Sequence, residues 1–216
     1  MTDTSRAPER IRRADAQRNR ARVLAAARAA LAEQGLDAPM PDIAARAGLG
    51  VGTVYRHFPT KEALVAAITE DWFLALCEVA ADHAARPGNP WDNFTDQIWT
   101  SARMLVADRG LSEVMGVEPV KTGGAAVAVA RLQEITGGLM DRAKASGAMR
   151  ADAVITDVPT MMCGLGRIAT IQSCGAPVNW ERYLTLMLDG LRAHAAAPVL
   201  TASASRAELV PASKRQ

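Results

Sequence analysis

The chain has 216 residues, 49% of them hydrophobic, and a net charge of +2. This is enough apolar material for one large domain, or for a small domain with a larger companion. No apolar run approaches the roughly 20 residues that a membrane span needs, and the N-terminus lacks a signal-peptide core; a soluble cytoplasmic chain with no membrane partner is expected. The charge is uneven: residues 1–62 carry eleven basic and seven acidic side chains, the remainder fourteen and sixteen. Cys77, Cys163 and Cys174 form no CxxC pair, and His57, His83 and His194 are scattered. That spacing argues against a zinc site, so no metal or cofactor is expected. The cysteines read as buried structural thiols. On one helix Cys163 and Cys174 would stand about 16 Å apart, too far for a disulfide. Alanine-rich runs separated by Gly and Pro, with almost no β-branched alternation, point to an all-α fold.

Residues 1–14 are polar and include Arg6, Arg10, Arg12 and Arg13; they read as a disordered basic arm. A first helix is expected from Asp15, a plausible N-cap, to Gly35, a plausible terminating glycine. Val23, Leu24, Ala27 and Leu31 make its inner stripe, and Arg18, Arg20 and Arg22 crowd its N-terminal half. A short second helix follows, with Ile43, Ala44 and Ala47 at helical spacing and Gly48 free to turn left-handed at its end. From Val51 the pattern resumes. Val51, Val54 and Phe58 fall on one face of a third helix, while Gly52, Thr53, Arg56 and His57 fall on the opposite one. The first set can pack on Ile43 and Ala44. The second presents a guanidinium, an imidazole, a hydroxyl and a side-chain-free position, which suits a DNA groove: Arg matches guanine with paired donors, Thr reaches phosphate or a thymine methyl, and Gly permits close approach. Residues 15–60 therefore read as a helix-turn-helix domain with its recognition helix at about 51–58.

The run Ile43-Ala44, Ala47-Gly48-Leu49-Gly50-Val51-Gly52-Thr53-Val54-Tyr55-Arg56-His57-Phe58-Pro59-Thr60-Lys61-Glu62 and Leu64 resembles the DNA-binding domain of the tetracycline-repressor (TetR) family. The likeness extends from the basic helix near Asp15 to about Ile68. It implies a phosphate contact from Tyr55, placement of Arg18, Arg20 and Arg22 near the DNA, and a phosphate role for Lys61. The residues agree about Lys61. Thr60 caps the next helix, and a cation in the first turn opposes the helix dipole, so structure alone would not select it. Pro39-Met40-Pro41 departs from the common family pattern of a Thr or Ser at this point, leaving backbone amides as the phosphate donors.

Residues 61–195 read as a helical effector-binding and dimerisation domain. Its helices are expected at about 61–85, 91–107, 121–146, 157–173 and 179–195, with residues 111–120 ambiguous. Residues 86–90, Arg-Pro-Gly-Asn-Pro, break the first from the second. The resemblance implies a small-molecule effector held among these helices, whose candidate walls are Trp72, Phe73, Trp99, Met104, Met115, Met140 and Met162. Core filling explains the same residue types, since ligand cavities are lined by them too. The last two helices are strongly apolar, and Gly164, Ile168, Leu184, Met187, Leu188 and Leu191 are candidates for a homodimer interface; the alternative is that they complete the protomer's own core. Arg167 interrupts the apolar stretch and suits a carboxylate across the dimer or an anionic ligand. Residues 196–216, rich in Ala, Ser and Pro, read as a mobile tail. The expected function is a repressor released from a palindromic operator in double-stranded DNA by its effector. The rivals are a constitutive regulator with no effector, and a helical enzyme, for which no nucleophile–base pair or nucleotide-binding loop is found.

Overall fold

A computed structural model describes residues 6–108, 123–173, 176–194 and 199–200. They form eight α-helices: α1 (Arg6–Gln34), α2 (Met40–Ala47), α3 (Val51–His57), α4 (Lys61–Ala85), α5 (Pro90–Ala107), α6 (Gly123–Ala145), α7 (Asp157–Thr170) and α8 (Trp180–Gly190). A 3-10 turn (Gly35–Asp37) follows α1, and a two-residue antiparallel pair, β1 (Gln172–Ser173) with β2 (Ala176–Pro177), separates α7 from α8. The all-α reading holds. Among the described residues no helix is long and apolar enough to cross a membrane.

The first helix starts earlier than its sequence suggests. Residues 6–14, expected as part of a disordered arm, are helical. Ala, Glu and Arg favour helix, and Pro8 falls in the first turn, where a missing N–H costs no bond. Asp15 is consequently not an N-cap; its carboxylate pairs with Arg18 along the helix. At the other end of the chain, Leu200 donates its amide to the Asp152 carboxylate at 2.8 Å. That fixes one residue of the expected mobile tail, and apart from Val199 and Leu200 the tail lies outside the described residues. So does the ambiguous segment 111–120.

The described residues pack as two units, one drawn from 1–78 and 103–132, the other from 79–102 and 133–216. The expected boundary at 60/61 therefore falls inside the first unit. There α1 packs on α2 and α2 on α3, burying Val23, Ala27 and Leu31 of α1, Ile43 and Ala44 of α2, and Val54 of α3. Three arginines of the unit bind across elements. Arg46 forks onto Glu33 at 2.8 and 2.5 Å, tying α2 to α1; the hydrogen bonds lower the Glu33 pKa and raise that of Arg46. Arg22 donates to the Gly48 carbonyl at 3.3 Å. Arg20 lies 3.6 Å from the Asp71 carboxylate and 5.7 Å from the Phe58 ring centre, linking α1 to α4 and to the end of α3. Further along α4, the Cys77 thiol donates to the Ala128 carbonyl at 3.3 Å and burial pushes its pKa up. The Glu70 carboxylate fills the space that a Cβ on Gly124 would take.

The second unit is built around Trp91, Phe94 and Ile98 of α5, Leu139 and Met140 of α6, Leu165 of α7 and Leu184, Leu188 and Leu191 at the chain's end. Arg192 caps it, with its guanidinium 4.7 Å from the centre of the Trp91 ring. Helix α8 stops at Gly190 rather than near 195 because the chain then pairs with the segment after α6. Arg150 donates its amide to Leu191 O at 3.0 Å, and Ala193 donates to Ala148 O at 3.1 Å. Arg150 also forks onto Asp152 at 2.6 and 2.9 Å. That guanidinium, helped by the Leu200 amide, holds the Asp152 carboxyl well below the usual range. Cys163 is exposed, which corrects the expectation that the cysteines are buried; it lies on the outer side of α7, between Thr160 and Arg167.

Two predictions follow from this packing. Gly48 is left-handed (φ 63°), and its amide and that of Leu49 bond the carbonyls of Ala45 and Ala44 at 3.0 Å each, closing α2 in a Schellman motif. A Cβ there would be strained and would meet the Arg22 guanidinium at 2.8 Å. Gly48→Ala should cost about 1–2 kcal/mol of stability, read by urea denaturation. The second concerns His83, which is buried with Nδ1 unpartnered. Burial, reinforced by Arg86, lowers its pKa below the usual 6.5, against the pull of Asp82 and Asp96. The unfolded chain therefore binds the proton first as pH falls, so stability is full above about 6.5 and is lost as pH drops towards the folded value. Wild type should lose more stability between pH 7.5 and 5 than His83→Gln does, by denaturation at both pH values; equal losses would contradict this.

Candidate nucleic-acid interface

The helix-turn-helix is assembled from backbone bonds at three points. Pro39 begins α2 in extended conformation with no side-chain cap, so the first amides of α2 have no side-chain acceptor. Gly48 turns the chain out of α2. Gly50, also extended, starts α3 and accepts from the amides of Thr53 at 2.8 Å and Val54 at 3.3 Å. The sides of α3 then divide as the sequence pattern requires, with one exception. Val54 and Phe58 are buried, but Val51, expected beside them, is 41% exposed because it occupies the first turn, at the helix rim.

The outward side holds the expected groups. Tyr55 and Arg56 are exposed, Thr53 and His57 half-buried, and the position of a Cβ on Gly52 meets nothing within 4 Å. Packing therefore does not require a glycine at 52. Arg56 and Lys61 enter no ion pair among the described residues. Helix α4 begins directly after, with Thr60 Oγ1 accepting from the Ala63 amide at 3.1 Å. Lys61 stands half-buried in that first turn. Glu62 beside it accepts from its own amide and from the Thr60 hydroxyl, which lower its pKa. Gly52, Thr53, Tyr55, Arg56, His57 and Lys61 are thus brought together over about eleven residues of chain on α3 and the start of α4. What sequence reasoning missed is the strut behind them, Arg20 with Phe58 and Asp71. Its members lie up to 51 residues apart, and nothing in their spacing joins them.

The other candidate residues are dispersed. Trp72 and Met104 share a cleft of about 530 Å³ in the first unit, which Arg28 of α1 also lines. Phe73 is buried beside Trp72, edge-on at 5.0 Å between ring centres. Met140 lies in the core of the second unit, and Trp99 and Met162 pack on that core. Trp99 sits 6.0 Å from Trp180. Met115 lies outside the described residues. Of the dimer candidates, Leu184, Leu188 and Leu191 are buried in their own protomer's core, at 1%, 5% and 5% exposure. They are corrected from interface to core residues: α8 is a single turn-facing stripe whose inner side the protomer already covers. Gly164, Ile168 and Met187 remain half-buried, and a Cβ on Gly164 would meet nothing within 4 Å. Arg167 is exposed. Among the described residues no group of three His, Cys, Asp or Glu could hold a metal ion.

Comparison with known proteins adds kinship to this geometry. Residues 23–68 match the family of bacterial regulatory proteins of the TetR type, and residues 86–193 match the C-terminal domain of SbtR-like transcriptional regulators. No curated protein matches the chain. A TetR transcriptional regulator of Streptomyces coelicolor is 32% identical over 82% of this chain and 99% of its own, with a TM-score of 0.58. A TetR regulator of Mycobacterium vanbaalenii is 34% identical over 83% of this chain and 98% of its own, with a TM-score of 0.56. The fold alone is shared with FadR of Bacillus subtilis, solved in complex with stearoyl-CoA, at 15% identity, 78% and 95% coverage and a TM-score of 0.61. With its N-terminal and C-terminal regions both matched and two relatives above 30% identity across nearly their whole length, the chain belongs to the TetR family and is a DNA-binding transcriptional regulator.

Proposed function

We propose that the chain is a repressor that binds a palindromic operator as a homodimer and leaves it when a small organic molecule binds C-terminal to the head. The observation that carries the DNA part is the outward side of α3. Its exposed Arg56, Gly52 and Tyr55 stand on a helix whose other side, Val54 and Phe58, is buried. Arg56 reads a base edge, Thr53 and Tyr55 set the register on phosphates, and Lys61 adds a phosphate contact at the start of α4. The uncapped first turn of α2 supplies amides for another phosphate.

Two copies are needed because a seven-residue helix touches only a few base pairs, and specific affinities of about 10⁻⁸–10⁻¹¹ M call for a larger footprint. Two-fold symmetry doubles it and places recognition helices in successive major grooves, about 34–36 Å apart. The surface that suits the second copy is the outer side of α7 and α8. Leu186 and Tyr183 are 56% and 41% exposed there, with Gly164, Ile168 and Met187 half-buried. The effector part rests on family membership, and on FadR as a protein of this fold that holds an organic ligand. The ligand need only prefer the state that does not fit DNA, with a coupling of typically about 1–3 kcal/mol.

Arg56→Ala should cost about 1–3 kcal/mol on the operator and relax base preference at one position of each half-site. Lys61→Ala should weaken binding to every duplex alike and flatten its salt dependence by about one unit of slope. Fluorescence anisotropy on operator and scrambled duplexes over a salt series separates the two. Equal losses on both duplexes for Arg56→Ala would contradict base reading. For the dimer, Leu186→Glu should give folded monomers in sedimentation with much weakened operator binding. Leu188→Glu buries a charge and should instead unfold the protein. A dimeric Leu186→Glu variant would refute this interface.

A further inference from the structure

The cleft in the first unit has a definite chemistry. Its volume of about 530 Å³ falls within the range that small-molecule sites occupy. Trp72 and Met104 supply a flat aromatic wall and a polarizable thioether. Trp72 is over nine-tenths buried, and its indole N–H has no acceptor, a rare condition that leaves this wall unfinished without water or a ligand. Around these apolar groups stand the carboxylates of Asp71, Glu78 and Asp108, against the single guanidinium of Arg28. Asp71 also shares Arg20 at 3.6 Å. Glu78 is exposed at the cleft with no ion pair among the described residues. In a recess with low-dielectric walls such an excess of carboxylate repels anions and concentrates cations more strongly than an open surface does. An indole face beside it favours the same sign of charge.

We propose that this cleft is the effector site and that the effector is an amphipathic organic cation, with its apolar body against Trp72 and Met104 and its charge towards Glu78 and Asp108. The proposal rests on the small-molecule reading above and narrows it to a place and a chemical class. It also gives the ligand a mechanical handle. Arg28 belongs to α1, the helix on which α2 packs, and Trp72 to α4, which begins where α3 ends. A molecule held between them contacts both helices that set the pose of α3.

The test uses three probes with one apolar body: decyltrimethylammonium, decanol and decanoate, each below its micelle-forming concentration. They are titrated calorimetrically into the full chain. The cation should bind at one site per chain and at least about ten-fold tighter than decanol, with decanoate weakest. Glu78→Lys, a surface change that leaves the fold intact by circular dichroism, should weaken the cation at least about ten-fold and decanol hardly at all. Met104→Trp, which fills the cleft, should weaken both. Equal binding of all three probes, binding of none, or cation binding indifferent to both variants would overturn the proposal. Operator affinity measured alongside separates it from the broader reading. Cation binding that obeys these variants without changing operator affinity places a ligand in the cleft but denies it the effector role. Operator release by other compounds, with no cation bound in the cleft, keeps the effector and sinks the site.

Discussion

A helix of seven residues cannot hold itself together in water, where isolated helices shorter than about 12–15 residues are marginal. Helix α3 exists because Val54 and Phe58 are buried against the rest of its unit. Everything the protein does on DNA depends on that anchorage. It leaves the opposite side of α3 free of structural duty, so Gly52, Thr53, Tyr55, Arg56 and His57 are placed by a core to which they hardly contribute. The left-handed Gly48 and the extended Gly50 determine the angle at which α3 leaves α2, and the bonds they make are backbone bonds that no solvent-facing substitution can disturb.

Charge in the same unit has separate tasks. Arg46, Arg22 and Arg20 bind other parts of their own chain: the Glu33 carboxylate, the Gly48 carbonyl, and Asp71 with the Phe58 ring. They are exposed or half-exposed pairs worth at most about 1 kcal/mol each, so they orient helices more than they stabilise them. Arg56 and Lys61 are placed otherwise, at the outward end of α3 and the opening turn of α4, where a nucleic-acid backbone supplies the missing anion. A basic first third therefore does not mean that every basic residue meets DNA. The structural arginines and the DNA-facing cations differ in whether a carboxylate or carbonyl of the chain already accepts from them.

Local pattern made the head legible. Buried Val54 and Phe58 repeat at helical spacing, Gly48 marks the turn, and Thr60 caps α4 in the way its hydroxyl suggests; the bounds of α4 agree with those expected to the residue. What could not be read was tertiary. Leu184, Leu188 and Leu191 form an apolar stripe that would serve a partner helix or the protomer's own core equally well, and only the packing of α5, α6 and α7 beneath it decides for the core. The same holds for Met140. Residues 6–14 were misjudged because polarity was taken for disorder, although their helix propensity is high. The cleft drew two of its residues, Trp72 and Met104, from the expected pocket walls. It drew Arg28 and Glu78 from positions that read as ordinary solvated charges.

The central claim is that α3 reads a base sequence, twice, in one symmetric complex. Selecting bound duplexes from a random-sequence pool with the purified full-length protein at moderate salt tests it most directly, because non-specific phosphate binding fades under those conditions while base readout persists. The account predicts enrichment of an inverted repeat whose half-sites are centred about one helical turn apart or a multiple of it. Recovery of duplexes with no common motif, or of a single unrepeated half-site bound as tightly as the repeat, would contradict it.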